Sequence, residues 1–119
     1  TGADFENCKF YHCTFDNASL VNCNLQNALF SNCSLYNVTA EEAELQNARF
    51  FSCNLAKAFF THSNFKEAVL KSCQTTSSSF MNCCIENIAL EETDLPNDEM
   101  FDSESDWIKN DIPDFEPNM

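Results

Sequence analysis

The chain has 119 residues, room for one domain and not two. Apolar residues make up 44% of it, enough for a core, yet no run approaches the roughly 18 apolar residues of a membrane helix, and no signal-peptide pattern opens the sequence. Acids outnumber bases 19 to 6, a net charge of −13, which disfavours direct nucleic-acid binding because phosphate contacts need Lys and Arg.

From Ala3 onward the sequence reads in fives: ADFEN, CKFYH, CTFDN, ASLVN, and so on to TDLPN at Thr93–Asn97. The third position is Phe or Leu in 16 of 19 blocks, where chance gives roughly three or four. The first position is Ala or Cys in 14 blocks, and the fifth is Asn in 10. No common helix or strand has this period. A large and a small apolar residue two apart share one side of an extended segment, so both point inward. The second and fourth positions then face outward. A turn must close every block, and Asn at the fifth position fits the positive φ of a type II turn. That explains how a turn-dense chain manages with Gly2 alone.

Tandem small–polar–(Leu/Phe)–x–x blocks resemble the pentapeptide repeat proteins, over Ala3–Asn97. The resemblance implies an all-β fold, a right-handed quadrilateral β-helix with four blocks per coil. The expected division is residues 1–97 as the β-helix and, where the register and the charge change, 98–119 as an acidic cap and tail. On that model residues twenty apart stack. One inner column reads Phe5, Leu25, Leu45, Phe65, Ile85, and the next Phe10, Phe30, Phe50, Leu70, Leu90. The third and fourth columns are interrupted by Thr75 and Ala40, where a bulge or loosened corner is expected.

Seven of the eight cysteines fall at the small inward position, four of them in one column, Cys13, Cys33, Cys53 and Cys73. They read as small buried hydrophobes standing in for Ala. Disulfides suit their parallel Cβ vectors poorly, and a zinc site wants converging ligands. Cys84 sits at an outward position and is the candidate exposed thiol.

Beyond the repeats the charge changes. Residues 1–90 hold 8 acids and 5 bases, and residues 91–119 hold 11 acids and Lys109 alone. The body is therefore at −3 and the C-terminal segment at −10. That segment carries Phe101, Trp107 and Ile108, a candidate cap for the open end of the solenoid. Ser103–Asn110 is expected to form a short helix, N-capped by Ser103 and ended before Pro113.

Function has to come from outward columns. The columns beside Phe10, Phe30 and Phe50 combine Tyr11, Leu29, Phe51 and Val69 with Lys9, Arg49 and Lys71, three of the five bases of the body. An exposed apolar strip rimmed by charge is a candidate interaction face for a protein partner, a second copy, or the acidic tail. Nothing in the sequence supplies a nucleophile–base pair, a phosphate loop, a metal set or a cofactor motif. His12 and His62 lie fifty residues apart, on different sides of the coil. The expectation is a non-enzymatic interaction or scaffold module without cofactor, membrane span or nucleic-acid ligand. Two alternatives stand beside it. One is a topoisomerase-binding DNA mimic of the quinolone-resistance type, disfavoured by a body at only −3. The other is a luminal or extracellular recognition domain, since FENCKF, VNCNL and SNCSL resemble the luminal domain of synaptic vesicle glycoproteins. Sequons at Asn17, Asn32 and Asn37 carry little weight at this Asn content. Buried free cysteines favour a cytoplasmic setting.

Overall fold

A computed structural model describes residues 2–94 and the backbone strand Ile108–Lys109. The chain winds as a four-sided parallel β-solenoid. One side is a continuous sheet of β1 (Lys9–Tyr11), β2 (Leu29–Ser31), β3 (Arg49–Phe51), β4 (Val69–Lys71), β5 (Ala89–Glu91) and β6 (Ile108–Lys109), paired in that order. From β1 to β5 the register pairs residues 20 apart, such as Phe10↔Phe30 and Phe50↔Leu70. The other three sides are columns of single parallel bridges. They run Asp4–Asn24–Glu44–Asn64–Cys84, Thr14–Ser34–Asn54–Gln74 and Ser19–Thr39–Phe59–Ser79.

The corners explain the period. Every fifth-position residue from Asn7 to Glu92 has a positive φ, between 52° and 66°. Gly2 continues the series with φ 73°. At most corners the third-position carbonyl accepts from the amide three residues on, as in Cys8 N to Phe5 O at 3.0 Å and Ala28 N to Leu25 O at 3.1 Å. That is the type II turn the Asn residues point to. The coil imposes it on His12, Glu42, Lys57 and Glu67 just as firmly, although left-handed backbone costs a non-Gly residue on the order of 1–2 kcal/mol. From Asn7 to Ser72 each corner amide is bonded to the next coil, for example Asn27 N to Gln46 O at 3.0 Å and Glu42 N to Thr61 O at 3.0 Å.

Inside, third-position side chains stack into ladders. Phe30 lies on Phe50 with ring centroids 4.8 Å apart and planes within 2°. Phe60 lies on Phe80 at 5.1 Å, and Phe65 meets Phe60 edge-on. Central residues such as Phe30, Leu45, Phe50 and Leu55 are wholly buried. Phe5, Phe10 and Phe15 are only partly covered, because among the described residues the first coil is packed on one side alone.

Two expectations change. Ala40 and Thr75 introduce no bulge or loose corner. Ala40 keeps its coil bond to Phe59 O at 2.7 Å, and Ser63 Oγ donates to the Ala40 carbonyl at 2.5 Å. At Thr75 the carbonyl accepts from both Ser78 N and Ser78 Oγ, and its own hydroxyl reaches Asp94 O at 2.5 Å. Polar side chains thus take up bonds around the smaller residues. The expected helix over Ser103–Asn110 also fails where it can be read, since Ile108–Lys109 is strand, paired Ala89↔Ile108. The last coil presents unpaired backbone groups, and a parallel strand satisfies them directly where a helix cannot. The rest of that segment, with Phe101 and Trp107, lies outside the described residues.

Candidate interaction face

The β1–β5 sheet sets its outward side chains in two columns by register alone. Second positions give Lys9, Leu29, Arg49, Val69 and Ala89; fourth positions give Tyr11, Ser31, Phe51, Lys71 and Glu91. All seven candidate residues therefore sit on one face. Their exposure differs from expectation. Lys9 and Tyr11 are exposed and Arg49 and Lys71 half-buried, but Leu29 and Phe51 are 1% exposed and Val69 is 8% exposed. Outward register does not mean contact with water here. With Ala89 packed against them, these three form a second apolar cluster, separate from the inner core. Beside it is a cleft lined by Asn27, Asn47, Arg49, Glu67 and Val69. Lys71 Nζ lies 4.0 Å from Glu91. Arg49 has no ion-pair partner among the described residues.

The corner following this face is built differently. No turn amide reaches back there among the described residues; thiols reach the third-position carbonyls instead. Cys33 Sγ donates to Phe10 O at 3.3 Å, Cys53 Sγ to Phe30 O at 3.2 Å, and Cys73 Sγ to Phe50 O at 3.3 Å. Thr93 ends the column, its hydroxyl accepting from Cys73 N at 2.9 Å and donating to Glu91 O at 3.0 Å. The column is thus a donor ladder and not merely Ala-sized filler. Its signal in the sequence is the confinement of Cys13, Cys33, Cys53 and Cys73 to one corner while Ala28, Ala48 and Ala68 hold another. The Cys73 thiol beside it, and then burial, push the Cys53 thiol far above the ordinary range; burial also raises Cys33.

Cys84 is not the single accessible thiol. It is half-buried, and Cys8 and Cys13 are equally so, because they belong to the uncovered first coil. His12 and His62 sit at two different corners; the His62 ring Nε2 lies 3.4 Å from the Asn82 side-chain amide. Asn37 Nδ2 donates to Asn17 Oδ1 at 2.7 Å, one coil below.

This coil is what a family model recognises. A pentapeptide repeat region matches residues 23–101, and a model of pentapeptide repeats in eight copies matches residues 1–37. The chain belongs to the pentapeptide repeat family. Among solved structures it resembles HetL of Nostoc sp. strain PCC 7120, a pentapeptide repeat protein involved in heterocyst differentiation regulation. The TM-score is 0.58 and identity 15%, over 76% of this chain and 37% of HetL. The chain thus spans little more than a third of that relative's length. It also resembles alr5209, another pentapeptide repeat protein from Nostoc, at TM-score 0.50 and 21% identity over 81% of this chain and 84% of that one. These similarities concern the fold. Among curated proteins, none matches the chain in sequence.

Proposed function

We propose that this pentapeptide repeat protein is a non-enzymatic interaction module that binds a protein partner through the outside of the β1–β5 sheet. The second apolar cluster carries this reading. Leu29, Phe51 and Val69 contribute nothing to the inner core, yet they are gathered on one face and flanked by Lys9, Arg49 and Lys71. Desolvated apolar groups bordered by charge are the composition of an interface centre and rim. The coil supplies stiffness, because each of these side chains is fixed by a ladder bonded above and below.

The test is affinity capture with the wild type, Phe51→Glu and Phe59→Glu in parallel, each checked for unchanged circular dichroism. Phe59 is exposed on another side and serves as the control. A partner lost with Phe51→Glu and kept with Phe59→Glu supports the face. Loss with Phe59→Glu alone would move the interface to the other side.

A further inference from the structure

The thiol column has a geometry that the interaction face does not use. Cys33 Sγ donates to Phe10 O at 3.3 Å and to Ser31 O at 3.4 Å; Cys53 Sγ donates to Phe30 O at 3.2 Å and to Phe51 O at 3.4 Å. The two sulfurs are held by equivalent pairs of carbonyls, one coil apart, so they repeat at the spacing of the coils. Neighbouring rungs of a β-ladder stand about 4.8 Å apart. The Phe30 and Phe50 rings, carried by these same two coils, lie 4.8 Å apart. The corner also opens outward. Cys33 and Cys53 line a groove of about 390 Å³, together with Asn32, Ser34, Ser52 and Asn54. In the column that holds Cys23 and Cys83, Ala43 and Ser63 come between them, so sulfurs on adjacent rungs occur in this column alone.

We propose that the Cys33 and Cys53 sulfurs together bind one soft, two-coordinate cation of the Cu(I) class, seated between them in line with the column. Thiolates are the ligands such an ion prefers. A metal–thiolate bond of about 2.3 Å on each side needs sulfurs about 4.6 Å apart, which the coil spacing supplies without moving the backbone. Zinc is not served in the same way. No three His, Cys, Asp or Glu side chains among the described residues are placed to share one ion, so its tetrahedral set is not formed there. Binding exchanges two S–H bonds for two Cu–S bonds. The two protons leave to water, copper keeps its oxidation state, and the bound unit carries one negative charge. The hydroxyl and amide groups of Ser34, Ser52 and Asn54 along the groove can solvate that charge, and no carboxylate among the described residues lines the groove to repel it. The site does not depend on the partner reading, which uses the sheet and not this corner.

The experiment titrates the full chain with Cu(I) under argon, in competition with a colorimetric Cu(I) chelator of known affinity. Two double variants run beside it, Cys33→Ser with Cys53→Ser, and Cys13→Ser with Cys73→Ser. Serine suits the position, because Ser63 stands at the same place in its own block and donates to a carbonyl of the coil below, Ala40 O. Circular dichroism checks each fold with and without copper. The first pair of substitutions should weaken binding about a hundredfold or more, and the second should leave it within about threefold. X-ray absorption at the copper edge should show two sulfur neighbours and no nitrogen. Bound copper should also raise the melting temperature of the wild type and not of the first variant. If the serine variant fails to fold, alanine replaces serine, since Ala28, Ala48 and Ala68 fill this block position in another column. Equal affinity in the first variant would overturn the inference. So would loss of binding in the second, a shell of three or more sulfurs, or copper that binds only as the coil unfolds.

Discussion

At the scale of the residue, two side-chain types do work that their identities only partly announce. Asn at the fifth position declares a left-handed corner, and the structure has one at each such position from Asn7 to Glu92. Nine of those corners nevertheless hold His, Glu, Ser or Lys, where only the five-residue count, not the residue, reveals the geometry. Asn47→Val should therefore lower stability by about 1–2 kcal/mol in urea titrations, since a β-branched residue resists φ 62°. The cysteines are the converse case. Their inward placement is legible, but their hydrogen bonds to Phe10, Phe30 and Phe50 are not, because a carbonyl one coil away exists only after stacking. The raised thiols give a pH dependence. An unfolded Cys33 ionises near 9.0, whereas burial makes the folded thiol keep its proton beyond that. Its contribution to stability is complete below that pH and is lost as pH rises, because the unfolded chain then sheds a proton the folded one retains. Thermal melting is expected to be level from about pH 6 to 8 and to fall above about pH 9, less steeply in Cys33→Ala. Alkylation of the native protein, followed by mass spectrometry, should modify Cys8, Cys13 and Cys84 well before Cys23, Cys33, Cys53, Cys73 and Cys83.

At the scale of the element, no strand is stable alone. β1 to β5 have three residues each, and their stability comes from what lies above and below. Position within the stack should set the cost of a deletion. Phe50→Ala, in the wholly buried middle and stacked on Phe30, should cost about 3–5 kcal/mol, while Phe10→Ala, in the partly covered first coil, should cost about 1–2 kcal/mol. Equal denaturation midpoints for the two variants would contradict a stability that depends on neighbours. The inner ladders were legible down to individual partners, because the unbroken period, joined to the four blocks per coil that the family resemblance implies, leaves only one stacking. The end was misread. Ser103 and the acids after it satisfy the local rules of a helix start, and local rules cannot see that β5 offers a free edge to pair with. Ile108 and Lys109 follow the edge.

At the scale of the molecule, the net charge is an average over unlike parts. The coils up to Leu90 stand at −3 and the remainder at −10, so any acid-driven contact belongs to the C-terminal segment and not to the solenoid wall. The seven residues of the candidate face were legible as a group, since register alone assembles them. Their burial was not, because a register position says which side a residue takes and not what packs around it there. The described coils are also separable into inside and outside in a way few folds allow. The inner pattern repeats every five residues, whereas a given wall recurs every 20. An insertion of one block would thus be invisible to the core but would turn everything after it by one wall. Duplicating residues 43–62 should add one coil, about 4.8 Å of height in small-angle scattering, and keep every wall in place. Five residues inserted between Asn32 and Cys33, without the other fifteen, should fold equally well and turn Phe51 off the wall that holds Leu29. Block number is therefore an address: the interior accepts any count, and only the surface can tell that one has been added.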